Sequence, residues 1–388
     1  MFASKSIDSQ HADLIHDVQY DFYGRRMATC SSDQFIKVWE LMDDNEWHCT
    51  ARLQGHVGSV WRVAWAHPEF GQVIASCGFD RIIAIWEEIN NSQNGQSTPG
   101  ASNWVRRTQL VDPRTSVTDI KFAPKHLGMQ LASCSTDGMI RLYEAQDVMD
   151  LSQWTLQYDF PTTVTASCLS WSTSPVDSPM LAIGNCKPNG ENAPPVLIYE
   201  LGEGQRIWEH IESLTNIEGA VHDVAFAPYM GQSYHTFAVA ADRLYVFYIK
   251  EKTAEVTQLA PADKLSKYKI EMAIGLDGCG DKIWRVCWNV TGTTLSSSGE
   301  DGTIRFWTRN YLCNWQQVGY IQPDYFVPAV PSVIPGNDDV PEMTGSRNSS
   351  TNAINCIGSS NTNLRNPSTT VQFHRKAPLP NRNEFVWH

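Results

Sequence analysis

Within residues 55–86, His56, Ser76 and Asp80 place an imidazole, a hydroxyl and a carboxylate in one short stretch, which the indole of Trp86 closes. Ser, His and Asp are the groups of a hydrolytic relay, in which His takes the proton of Ser while Asp holds the imidazole in the required tautomer. An active site needs such a relay once. Here related sets recur: His11, Thr29, Asp33 and Trp39 upstream; Ser133 and Asp137 without His downstream; Ser297, Asp301 and Trp307, again without His, near residue 300. Recurrence points to hydrogen-bonded braces that each repeat needs for itself. Outside the repeats no separate cluster of acid, base and nucleophile stands out. The expectation is a protein that is not an enzyme, with no catalytic residue, no cofactor and no metal.

The elements that position these groups are short strands. VWRVAW, VIASC and IIAIW are runs of β-branched and aromatic residues, and Asp80 sits at the reversal between the last two. Six copies of this pattern can be traced, and their third strands end on Trp39, Trp86, Tyr143, Tyr199, Phe247 and Trp307. A Gly-His pair, alternating strands and a closing aromatic make the signature of a WD repeat. Each copy forms one four-stranded blade of an all-β propeller. The aromatics lie 47–60 residues apart, more than the roughly 40–45 of a compact repeat. The surplus follows the third strand, chiefly at residues 87–103, 144–153 and 248–267, so long loops are expected on one face. Fourth strands are expected to begin at Trp47, Trp104, Trp154, Arg206, Tyr268 and Trp315.

Residues 1–322 are thus read as the propeller. From about residue 323 the chain is rich in Asn, Ser, Thr and Pro, and residues 323–388 read as a disordered tail. The final NEFVWH reads as a frayed end, with a docking peptide as the alternative. The net charge of −12 argues against direct nucleic-acid binding, which needs clustered basic residues. No apolar run is long enough to span a bilayer, so any membrane association is expected to be indirect. Ten cysteines without a CxxC pair argue against zinc. Cys30, Cys77 and Cys134 recur at one point of the second strand, as buried thiols would.

The strand count leaves a remainder. Repeat six supplies its own fourth strand, WQQVGYI, yet a further extended run, Phe2, Ala3, Ser4, Lys5, Ser6 and Ile7, precedes repeat one. That run either begins a seventh blade the chain does not finish, or closes blade six as its outer strand. An unfinished blade leaves strand edges that recruit another chain. A second candidate surface is the disc face at Trp61, Arg62, Trp284 and Arg285. These residues occupy matching positions of VWRV and IWRV and are of the types enriched in binding hot spots. The alternative is that both indoles pack against neighbouring blades.

HDVQYDFYGRRMATCSSDQFIKVWE, GSVWRVAWAHPEFGQVIASCGFDR, TSVTDIKFAPKHLGMQLASCSTDG and WRVCWNVTGTTLSSSGEDGTIRFW closely resemble the Sec-thirteen-like WD-repeat nucleoporins, over residues 1 to about 320. The resemblance is weakest in repeats four and five and does not reach the tail. It implies an open six-bladed propeller, with a scaffold nucleoporin inserting its strands in trans as a seventh blade. It implies a place among the other nucleoporins of the Y-shaped outer-ring subcomplex of the nuclear pore. It further implies partners among the GATOR subunits that relay amino-acid supply to the TOR kinase on lysosomes. A vesicle-coat subunit of the COPII type and a peptide- or histone-reading propeller are the alternatives.

Overall fold

The computed structural model describes residues 5–89, 103–186, 193–202, 204, 207–252, 267–276, 282–312, 314–322, 325–328 and 384–387. Its first strand, β1 (Lys5–Asp8), stands apart from the blades. Blade one is β2 (Ile15–Tyr20), β3 (Arg26–Ser31), β4 (Phe35–Leu41) and β5 (Trp47–Gln54). Blade two is β6 (Val60–Trp65), β7 (Val73–Gly78), β8 (Ile83–Glu88) and β9 (Trp104–Leu110). β10 (Val117–Phe122), β11 (Gln130–Ser135), β12 (Met139–Ala145) and β13 (Trp154–Pro161) form blade three. β14 (Ala166–Trp171), β15 (Met180–Asn185), β16 (Val196–Leu201) and β17 (Trp208–Leu214) form blade four. β18 (Asp223–Phe226), β19 (Tyr234–Ala240), β20 (Leu244–Glu251) and β21 (Tyr268–Leu276) form blade five. Blade six is β22 (Ile283–Trp288), β23 (Thr294–Gly299), β24 (Ile304–Arg309) and β25 (Trp315–Gln322), extended at its outer edge by β26 (Tyr325–Pro328).

Every blade is an antiparallel meander of consecutive strands, and all six expected fourth strands are present. Each third strand carries a register shift just before its closing aromatic, as between Val38 and Trp39 or Ile85 and Trp86. In most blades a second shift marks the first strand, skipping His16, Trp61, Thr118, Ser167 and Trp284. Such bulges sharpen the twist and re-aim a side chain.

A four-stranded sheet cannot bury both faces by itself, and the core lies between blades. Ala28, Val38, Ile74 and Trp86 pack blade one on blade two. Val73, Ile85, Ile120 and Leu131 pack blade two on three, and Ile140, Leu142, Leu169 and Leu181 pack three on four. Ile198, Val196, Phe237 and Phe247 join four to five, and Leu244, Val246, Val286 and Trp307 join five to six.

Within the segment expected to be a disordered tail, residues 325–328 form β26 and residues 384–387 form a further strand, β27 (Glu384–Trp387), paired antiparallel with β1. The rest of that segment lies outside the described residues, as do Phe2, Ala3 and Ser4. The long loops at 87–103 and 248–267 join third to fourth strands as expected, and their tips also lie outside the described residues.

Candidate functional site

Two of the recurring sets close as complete relays. In blade two, Trp86 donates its indole N–H to Ser76 Oγ (2.9 Å), Ser76 bonds His56 Nε2 (2.7 Å), and His56 Nδ1 bonds Asp80 (2.8 Å). The Asp80 carboxylate also accepts the backbone N–H groups of Val57 and Ile82. Blade one repeats this with Trp39, Thr29, His11 and Asp33, at 3.0, 2.9 and 2.8 Å. With the indole able only to donate and the carboxylate only to accept, the hydroxyl donates to Nε2 and the proton sits on Nδ1. Each hydroxyl oxygen also accepts an indole N–H, and Ser76 and Thr29 are buried, so neither hydroxyl is open to a substrate. Burial acts to raise the Asp80 and Asp33 carboxyls, but the His hydrogen bonds and backbone donors outweigh it, and both sit below the usual range. Burial holds His11 below its usual value, which keeps the ring neutral.

Blades three and six do not assemble the set. Ser133 is buried and its hydroxyl meets the backbone oxygen of Arg141, while Asp137 bonds Ser135 and pairs with Arg141 instead. In blade six Ser297 accepts the Trp307 indole N–H (2.9 Å), but Asp301 bonds Thr303 and pairs with Arg305. Where the His is lost, an arginine four residues beyond the Asp takes its place. The shared sequences DGMIRLY and DGTIRFW carried that signal.

An inner ring of charges escaped the sequence reading. The residue after each first-strand bulge is Asp17, Arg62, Asp119, Cys168 and Arg285 in blades one to four and six, and Asp223 holds the matching place in blade five. Each Asp accepts a backbone N–H of the next blade: Val63 on Asp17 (3.2 Å), Leu169 on Asp119 (3.0 Å), Val286 on Asp223 (3.1 Å). The same three pairs of blades are tied again where Trp65, Trp171 and Trp288 donate to the carbonyls of Gln19, Lys121 and Ala225. Arg62 lies between Asp119 (3.5 Å) and Asp17 (3.8 Å). Burial pushes Asp223 up to about 6 despite Arg62 and Lys121. Lys121 is itself raised: burial acts to lower it, but Asp119 and Asp223 outweigh that, so it supplies the cation that Cys168 does not.

This geometry corrects the second candidate surface. The Arg62 side chain is about nine-tenths buried and committed to the inner ring, so it cannot contact a partner on the disc face. Arg285 is half-exposed but pairs with Asp17 at 2.7 Å. Trp61 and Trp284 are the bulged residues themselves. Trp61 meets Phe79 edge-on, and Trp284 lies over His222 with ring centres 4.3 Å apart. Trp284 of blade six thus packs on His222 of neighbouring blade five while staying 39% exposed, whereas Trp61 meets a residue of its own blade.

The seam between blades six and one differs from every other. The inner strands pack in succession from β2, β6, β10, β14 and β18 to β22, and no comparable packing returns from β22 to β2. Among the described residues no apolar cluster joins these two blades. Blade one's outward side carries only a small group, Met27 and Trp39 with Val18 and Trp47, capped by Ile7 of β1. On blade six, β23 and β24 are largely half-buried, whereas β7 of blade two is buried throughout and β8 over its first four residues. A cavity of about 860 Å³ runs along the inner strands of blades one, three, four, five and six. β25, not β1, is the outer neighbour of β24, so the closed arrangement with residues 2–7 on blade six does not hold. The described residues hold no cluster able to bind a metal ion.

The family model for the WD domain, G-beta repeat, matches residues 4–40, 47–87, 105–144 and 272–308. Nucleoporin SEH1 of Xenopus tropicalis is 50% identical over 326 residues, covering 84% of this chain and 89% of that protein. The chain belongs to the SEH1 nucleoporin family. SEH1 of Danio rerio is 49% identical over 326 residues, 84% of this chain and 88% of that protein. Human SEH1 is 49% identical over 324 residues, 83% and 89%. In this family the repeated Ser, His and Asp sets belong to a WD-repeat scaffold and not to an enzyme.

Proposed function

We propose that this SEH1-family chain is a scaffold subunit of the Y-shaped outer-ring subcomplex of the nuclear pore, and that a partner nucleoporin completes it by inserting a seventh blade at the seam between blades six and one. The observation that carries this is the missing inter-blade core. Among the described residues five seams are closed by apolar clusters and the sixth is not; the Arg285–Asp17 ion pair crosses it at the inner strands, and β1 lies there as an outer strand with Ile7 facing blade one. A sheet inserted there would bury apolar faces on both sides and pair with β1, as strand addition at an exposed edge does. An interface of that kind resembles a domain core more than a transient surface. The family resemblance also supports a second assembly, the GATOR complex that signals to TOR at the lysosome surface. The same seam would serve it with a different donor of the blade.

The test is co-expression of the full chain with each outer-ring scaffold nucleoporin of the same cell, followed by hydrogen exchange on the free and bound chain. Protection on binding is expected in β23 and β24, which are largely half-buried in the free chain. Protection confined to the disc face around Trp61 and Trp284, with β23 and β24 unchanged, would favour the peptide-reading alternative and overturn the seventh blade.

A further inference from the structure

We propose that the C-terminal strand Glu384–Trp387 is a built-in substitute for the third strand of the missing blade, which covers β1 until a partner displaces it. The inference rests on the open-seam reading above. In each of the six blades the fourth strand pairs antiparallel with the third, and one register position near its end is apolar on both sides. There Ile36 faces Leu53, Ile83 faces Leu110, Ile140 faces Phe160, Val196 faces Leu214, Leu244 faces Leu276, and Ile304 faces Ile321. β1 stands where a fourth strand stands: it runs directly into the loop that carries His11, as β5 runs into the loop that carries His56. Its penultimate residue, Ile7, is buried, as is Leu53, the penultimate residue of β5. β27 lies antiparallel beside β1 and puts Phe385 at the register position of Ile7. It therefore repeats, at the seventh position, the pairing that closes the other six blades.

The pairing has a physical reason. An uncovered β1 would present a row of unpaired backbone groups, a template for association with other chains. Glu384–Trp387 brings an aromatic, a β-branched residue and a second aromatic, types that favour strands, and charge from Glu384 at one end. Residues 329–383 tie it to β26, so its pairing is intramolecular. A four-residue strand is short and can be exchanged for a full blade. While it is in place, a trans blade binds more weakly, in proportion to the fraction of molecules with the seam open.

The experiment compares hydrogen exchange at β1 in the full chain, in the chain ending at residue 382, and in the full chain carrying Phe385→Asp, all without a partner. The peptide of residues 381–388 is then added to the shortened chain at roughly millimolar concentration, to match the intramolecular pairing. Slow exchange at Lys5–Asp8 in the full chain is expected, about tenfold faster exchange in both variants, and recovery with the peptide. Fast exchange at β1 in all three chains overturns the substitute strand and leaves the open seam standing. Slow exchange in all three means that β1 is paired elsewhere in the ring, and overturns the open seam as well. Loss of protection on shortening without recovery by the peptide also overturns the proposal.

Discussion

Blades two and six are built from nearly the same pieces and end in different surroundings. Both begin with a bulged Trp-Arg-Val, both close on a Trp whose indole N–H reaches a Ser hydroxyl at 2.9 Å, and both carry an Asp in the turn between. In blade two the middle strand is buried from end to end; in blade six the equivalent strand alternates buried and half-buried positions. The strands of blade six are not weaker in themselves. Among the described residues no apolar cluster covers their far side. The side chain of blade two's turn Asp is nearly buried and holds a His; that of blade six is more open and holds an Arg. Burial in a propeller is thus a property of the seam, and a blade at the end of an open array keeps the repeat signature while losing half its cover.

The sharpest way to break this comparison is to truncate the same position in both blades. Ile85→Ala, at a fully buried site, is expected to cost about 2–5 kcal/mol in urea unfolding. Phe306→Ala, its half-buried counterpart before Trp307, is expected to cost about 1–2 kcal/mol in the free chain, the smaller value following from the smaller area removed from water. Equal costs would mean that blade six is covered in solution.

The tie between blades five and six has its own signature. The carboxyl of Asp223 is raised from 3.8 to about 6, so the folded state binds its proton more tightly than the unfolded state. Its contribution is therefore complete below about pH 4 and lost as pH rises through 6, amounting to roughly 3 kcal/mol for a two-unit shift. Asp223→Asn should flatten the stability-against-pH curve in that window. An unchanged slope would show that the group titrates normally.

Asp80→Ala should cost about 1–3 kcal/mol, because two backbone donors and the buried His56 lose their acceptor. Its carboxyl sits below the ordinary 3.8, so the contribution is present above about pH 4 and disappears as pH falls through the lower folded value. The variant should therefore lose part of the wild-type acid sensitivity. Asp301→Ala, which breaks a pair with Arg305 but no His relay, should cost less, about 1 kcal/mol or under. Thermal melts of the two variants side by side decide it. The smallest effect is expected from deleting residues 330–388: less than about 5 °C in Tm, since the strand they contain touches only one local edge.

Much of this was legible in the chain. Six closing aromatics, six fourth strands and two full relays follow from residues close together in sequence, where periodicity carries the signal. The failures are equally specific. Arg62 looks like an exposed hot-spot residue because nothing local says that Asp17 and Asp119, from the blades on either side, enclose it. The ring of Asp17, Asp119 and Asp223 was visible only by stacking the first strands and reading across repeats. The pairing of β27 with β1 joins the two ends of the chain, and no local pattern encodes a contact of that span.

The inner ties come in pairs: blade one to two, three to four, five to six, each by an Asp on a backbone N–H and a Trp on a carbonyl. Asp17 of blade one does more than this: one of its oxygens accepts Val63 of blade two and the other accepts Arg285 of blade six at 2.7 Å, so an ion pair spans the seam that no apolar cluster among the described residues closes. That pair is charged and lies at the inner strands, whereas the five other seams are held over their breadth by apolar side chains, so raised salt should loosen this seam more than any other.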